Sequence, residues 1–135
     1  MAEFDACARC YRTFVEQGEA LRELLSTSLV AALGVLEDGA PAVSLVGFTW
    51  AEQPLRVFLL VSELSSHTPA LRADPRCSLL VHAPPSPEDP RSNHALARVM
   101  IRARASFLDR AAAEERGVTA AWRDRYAITE TLLGL

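Results

Sequence analysis

Apolar and polar positions along this chain change period several times, and each change predicts an element. Near the start, Phe4, Cys7, Tyr11, Phe14, Leu21 and Leu25 recur at three- and four-residue steps. That spacing places them on one face of an amphipathic N-terminal helix over about 5–25, with a glycine, Gly18, inside it. The stretch "SLVAALGVLEDGAPAVSLVGFTW" then reads as a hairpin. Ser28 to Leu36 is one apolar strand, and Pro41 to Trp50 is the next. Glu37-Asp38-Gly39 between them is a turn, with Gly39 free to take positive φ, and Asp-Gly between apolar runs is a hairpin signal.

Leu55 to Val61 predicts a third strand. A short helix over Ser66 to Ala73 stops at Asp74-Pro75, since the residue before proline avoids the helical region. Arg76 to His82 is a fourth strand, and Ala83 to His94 is a proline-rich loop. Ala97 to Leu108 is a fifth strand, with Ala97, Val99, Ile101, Ala103, Ala105 and Phe107 on one face. Arg98, Met100, Arg102, Arg104 and Ser106 occupy the other. The arginine stripe is either a solvated outer face or a place where an anion is neutralised. Ala111 to Tyr126 predicts one long C-terminal helix, with Trp122 and Tyr126 as its anchors. The tail "ITETLLGL" fits no single period.

Two strands, "VFLLV" and "CSLLV", are apolar without alternation. Such a strand is covered on both faces. In a small barrel one face is interior; the other needs a helix, a ligand or a second subunit. The expectation is a homodimer, the alternative being that the chain's own helices cover the outer faces. Closely spaced strands with helices mostly at the ends predict a small antiparallel barrel over about 28–108 with flanking helices.

A length of 135 residues fits one domain, and a hydrophobic fraction of 50% supports a core. The net charge of −3 gives no basic footprint for nucleic acid. The cations are all Arg, which reads first as a compositional bias. Cys7, Cys10 and Cys77 are too few for a disulfide framework. The C-x-x-C pair of Cys7 and Cys10 has no second half-site for a metal, and core packing is its expected role. The first residues lack a signal-peptide layout, and no apolar run is long enough to span a membrane. A soluble cytoplasmic protein is expected.

The chemistry concentrates in "VSELSSHTPALRADPRCSLLV". Ser65, Ser66, His67 and Thr68 open the short helix, and Pro69 suits an early helical position. A serine or threonine there can cap the helix. The same exposed donors can also hold an anion. His82 at a strand end reads as structural. His94 in the loop reads as a surface residue, with haem ligation as its alternative. No nucleophile–base pair, P-loop or dinucleotide fingerprint is present.

The order of elements, with "DGAPAVSLVGF", "FLLVSELSSHTPALRADPRCSLLV" and "ARVMIRARA", resembles the pyridoxamine 5'-phosphate oxidase-like, FMN-binding split-barrel family. The likeness covers about 21–126 and is nearest to the haem-utilisation branch. It rests on Ser62, Leu64, His67, Thr68 and Leu71, followed by Asp74-Pro75-Arg76. The resemblance implies a six-stranded antiparallel split β-barrel and a homodimer with its small-molecule sites at the interface. It implies FMN as the cofactor of an oxidoreductase, with haem binding or degradation as the alternative. A non-catalytic, ligand-binding member is a further one. By the same resemblance Ser65 and Ser66 would donate to the phosphate, with Thr68 beside them, and His67 would stand where flavin-binding members carry a lysine. Ser44, Leu45 and Val46 would face the ring system, Val61 would present backbone to it, and Arg98 would contact an anion.

Overall fold

The computed structural model describes residues 1–6, 18–88 and 95–133. Among these, seven strands form one antiparallel sheet: β1 (Ala2–Ala6), β2 (Val30–Glu37), β3 (Ala40–Gly47), β4 (Thr49–Ala51), β5 (Arg56–Leu59), β6 (Arg76–His82) and β7 (Arg98–Phe107). Their order across the sheet is β3-β2-β6-β7-β1-β5-β4. The helices are α1 (Gly18–Thr27), α2 (His67–Ala73), α3 (Arg110–Glu115), α4 (Val118–Arg125) and α5 (Thr129–Leu133). The protein is mainly β with helices beside the sheet.

The β2–β3 hairpin follows from its turn. Glu37 pairs with Ala40, and Asp38 and Gly39 between them have φ of 51° and 78°. Positive φ at both central residues matches the twist of the flanking strands.

Three expectations are corrected. Residues 2–6 are a strand, not the start of a helix; β1 lies between β7 and β5. Its sequence alternates apolar Ala2, Phe4 and Ala6 with acidic Glu3 and Asp5, a period of two that the longer helical spacing masked. Helix α1 starts only at Gly18, and Cys7, Cys10, Tyr11 and Phe14 lie outside the described residues. Pro41 to Trp50 is not one strand. It divides at Phe48 into β3, which pairs with β2, and β4, which pairs with β5. Thus the two ends of the strand order are consecutive in the chain. The C-terminal helix is broken into α3 and α4 at Gly117, whose φ of +71° is left-handed. A helix ends readily at such a glycine. The ambiguous tail contains α5.

The main core lies on one face of the sheet. Leu33, Val35, Val46, Leu79, Val81 and Ile101 meet Leu21, Leu24 and Leu25 of α1 and Leu71 of α2. A second cluster joins Phe58 of β5 to Ala113, Val118 and Trp122 of α3 and α4. The chain's own helices therefore cover both faces of β5, as in the alternative to dimer coverage. Strand β6 behaves differently. Leu79 and Val81 are buried, but Leu80 between them is 40% exposed.

Helix α4 is fastened where β3 bends into β4. The Tyr126 hydroxyl accepts from the Phe48 N–H at 2.8 Å and lies 2.7 Å from the Leu29 and Phe48 carbonyls. Arg125 donates to the Leu25 carbonyl at 2.7 Å and to that of Ser28, and its guanidinium sits 4.9 Å from the Phe48 ring centre. Carbonyls at the end of α1, which have no partner within the helix, thereby gain a cationic donor. Trp122 stacks on Tyr126 with centroids 4.5 Å apart, and a Cβ at Gly47 would meet the Trp122 ring at 3.1 Å. A side chain there would crowd the ring, a contact that glycine avoids.

Candidate functional site

The approach to α2 is a tight turn organised by Ser62. Its carbonyl accepts from the Ser65 N–H at 3.1 Å and from the Thr68 hydroxyl at 2.6 Å, while its own hydroxyl accepts from the Leu64 N–H at 3.1 Å. Glu63 closes the turn from outside with a two-pronged pair to Arg72, at 2.7 and 2.5 Å. Arg72 also lies 5.0 Å from the centre of the Phe107 ring. The geometry of residues 62–68 is thus fixed by local bonds and needs no ligand to form.

This turn decides which predicted donors face outward. Thr68 is fully buried, its hydroxyl bonded to Ser62 and its N–H to the Ser65 carbonyl at 3.1 Å. Its donors are committed within the chain. Ser66 is the residue before the helix, is exposed, and makes no side-chain capping bond. Ser65 is half-buried beside it. Neither hydroxyl is used to cap α2, so the sequence's capping reading does not describe them.

His67 is the first residue of α2, and its Nδ1 lies 3.1 Å from the Ser44 hydroxyl on β3. Ser44 pairs with Leu33 and so projects from the core-side face of the sheet, where α2 packs against β2. Burial pushes the His67 imidazole below its ordinary range, which favours the neutral ring. With Ser44 holding Nδ1, Nε2 is the nitrogen left to meet a ligand. The outer end of the site thus combines a neutral imidazole with the hydroxyls of Ser44, Ser65 and Ser66. The trio 65–67 brings no positive charge.

The remaining predicted residues are distributed elsewhere. Val46 is buried in the core, and Val61 is half-buried against it, just beyond β5. Leu45 projects from the opposite face to Ser44 and is 72% exposed. Arg98 begins β7 opposite His82, exposed on the same face as Met100. Within one chain, then, the fold joins Ser44 to His67 and keeps Leu45 and Arg98 on the other side of the sheet. His82 is exposed, with Nδ1 2.7 Å from the Ala83 carbonyl. His94 lies outside the described residues. Cys77 is half-buried, and burial pushes its thiol up to about 12, so it is unreactive. Among the described residues no cluster of His, Cys, Asp or Glu could hold a metal ion by itself, and no helix is long and apolar enough to cross a membrane.

Sequence reasoning expected an apolar outer face on two strands but did not assemble the row that crosses four. Register aligns Leu45 with Ala32, Ala32 with Leu80, and Leu80 with Met100. These four form an apolar row across β3, β2, β6 and β7. One step along, Val43, Gly34, Ser78 and Arg102 form the next row. The signal was present as alternation within each strand, but only pairing turns it into a surface.

Solved structures share this fold. HutZ, a haem storage protein from Vibrio cholerae, matches with 22% identity and a TM-score of 0.73, over 87% of this chain and 81% of that one. A haem-binding protein from Mycobacterium smegmatis matches with 27% identity and a TM-score of 0.62, over 84% of this chain but 44% of that one. An FAD-binding protein from Mesorhizobium loti matches with 17% identity and a TM-score of 0.58, over 97% of this chain and 78% of that one. The pyridoxamine 5'-phosphate oxidase family matches over residues 18–131, and the chain belongs to that family. No curated protein matches it by sequence.

Proposed function

We propose that this chain is a homodimeric, cofactor-binding split-barrel protein that holds a flat, anionic ring system at the Ser44–His67 pair, and that haem suits the pair better than FMN. The barrel reading rests on β3 and β4, which end the strand order yet continue one another through Phe48. Counted as one, they would close a ring of six strands. The haem reading is carried by the 3.1 Å contact between His67 Nδ1 and Ser44 Oγ. A histidine that binds metal through one nitrogen commonly gives the other a hydrogen-bonding partner, which fixes ring orientation and tautomer. Nδ1–H would donate to Ser44, leaving Nε2 as the nitrogen that would hold the iron. Bound haem would supply iron-centred ligand or redox chemistry. The chain would supply the nitrogen, its orientation, and the Ser65 and Ser66 hydroxyls for the anionic arms. The haem-binding neighbours support this reading.

FMN is the second reading, and one observation favours it: Ser65 and Ser66 stand at the helix mouth without capping α2. They can donate to a phosphate. With no cation among residues 65–67, FMN binding is expected to be weak within one subunit. Oxidoreductase activity belongs to this second reading.

Titration with hemin and with FMN, followed by absorbance, tests both. The expected result is a sharp Soret shift with hemin that His67→Ala removes. A flavin spectrum unaffected by His67→Ala but lost in a Ser65→Ala, Ser66→Ala double variant would favour FMN. A hemin response that survives His67→Ala would overturn the assignment of the ligand.

A further inference from the structure

The sequence places no base next to a nucleophile, but the fold does. Ser44 Oγ on β3 and His67 Nδ1 on α2 lie 3.1 Å apart, within the reach at which an imidazole takes a hydroxyl proton. Both members are held by bonds outside this contact. Ser44 sits in β3, where its backbone pairs with Leu33 of β2. His67 opens α2 beside Thr68, whose fully buried hydroxyl is tied to the Ser62 carbonyl at 2.6 Å. A pair carried on a strand and a helix that are already fixed needs little rearrangement to react. Ser44 and His67 are each half-buried, so a small substrate can reach them.

The direction of the hydrogen bond decides the chemistry. With its proton on Nδ1 the ring donates to Ser44, as in the haem reading. With its proton on Nε2 the ring accepts from the Ser44 hydroxyl at Nδ1 and can act as its base. The surroundings select the substrate. Val46, two positions along the same side of β3, is buried, and Val61 is half-buried against the core. Ser65 and Ser66 adjoin His67, and neither hydroxyl is spent on capping α2. They are the donors available to an oxygen that gains charge when a carbonyl is attacked. Residues 65–67 carry no lysine or arginine to attract a charged substrate, and the flanking valines favour a small, neutral one.

We propose that Ser44 and His67 form a nucleophile–base dyad that hydrolyses small neutral carboxylic esters. Ser44 Oγ attacks the acyl carbon while its proton passes to His67 Nδ1. The new bond from Oγ to the acyl carbon forms, the bond to the alcohol oxygen breaks, and the imidazolium returns the proton to the departing alkoxide. Water then attacks the acyl-serine. Its proton passes through Nδ1 to Ser44 Oγ, and the carboxylic acid leaves. Ester and water are the only reactants. The activity needs neither hemin nor FMN and goes beyond the cofactor reading. Among the described residues no carboxylate bonds to His67, so the pair lacks the third member of a triad. Turnover is expected to be slow, and covalent capture of Ser44 is the sharper readout.

Both readouts use the full chain with no cofactor added. Treatment with a fluorophosphonate, followed by tandem mass spectrometry, is expected to find a phosphonyl group on Ser44. With p-nitrophenyl acetate, nitrophenol release above the buffer background is expected to fall about 100-fold in Ser44→Ala and in His67→Gln. His67→Gln keeps a hydrogen-bonding side chain beside Ser44 but cannot carry the proton, and circular dichroism checks that both variants fold. No adduct on the unmodified protein, an adduct on another residue instead, or ester cleavage unchanged in folded His67→Gln overturns the dyad. If the protein binds neither hemin nor FMN, the cofactor reading fails while the labelling of Ser44 stands.

Discussion

Ser44 and His67 stand 23 positions apart in the chain and 3.1 Å apart in the fold. Removing the hydroxyl in Ser44→Ala leaves the imidazole free to rotate. It should weaken hemin binding on the order of 10-fold in a spectrophotometric titration, as loss of a ligand's supporting hydrogen bond does elsewhere. Stability should fall by only about 1 kcal/mol, the usual net value of one such bond. The ring's burial sets a pH dependence. His67 is held below its ordinary range, so the unfolded chain takes up the proton more readily than the folded one. Its contribution is present above about 6.5, the ordinary value, and is lost as pH falls from there through the lowered folded value. Melting temperatures of wild type and His67→Gln should therefore diverge at neutral pH and converge on acidification. The residue types of this site were legible in the sequence; their division was not. Thr68 looks like its neighbours in the string, yet its hydroxyl is spent on the Ser62 carbonyl. Leu45 adjoins Ser44, yet strand alternation sends it to the opposite face.

At the scale of elements, Asp109 caps α3, its carboxylate accepting from the Ala112 N–H at 2.8 Å. Asp109→Ala should lower stability by about 1 kcal/mol, read by chemical denaturation. Elements with strong local punctuation were readable. Asp38-Gly39 announced its hairpin, and Asp74-Pro75 ended α2 where steric conflict requires. Strand β6 was placed at its observed limits. Where reading failed, a local signal lost to one of longer reach. Phe48 has no turn residue that would mark the division of β3 from β4; that division is imposed by pairing to two different partners. Gly117 did carry a stop signal, but the apolar spacing of the flanking residues concealed it. The close approach of the Trp122 ring to Gly47 joins residues 75 positions apart, which no local pattern announces.

At the scale of the molecule, the outer apolar row and the Trp122 ring of α4 meet β3 on one face, at Leu45 and at Gly47. Leu80→Glu would set a carboxylate in the middle of the apolar row. On the homodimer reading, sedimentation should show monomer, and circular dichroism should stay unchanged, since Leu80 packs outside the core. Tyr126→Phe should be the more damaging to the fold. It removes the group that meets the Phe48 N–H and the carbonyls of Leu29 and Phe48, at a cost of about 1–3 kcal/mol. Thermal unfolding checks this, with a lowered midpoint expected.

The position of β1 bears on how the chain is made. Residues 2–6 pair on one side with β5 and on the other with β7, so the earliest described strand is zipped to the last. During synthesis β5 emerges first and offers it one edge. The other edge waits until residues 98–107 have left the ribosome. Contacts of such sequence separation are slow to close. A pulse-labelling experiment on refolding should find amide protection of β1 against β7 arriving last, well after the β2–β3 hairpin.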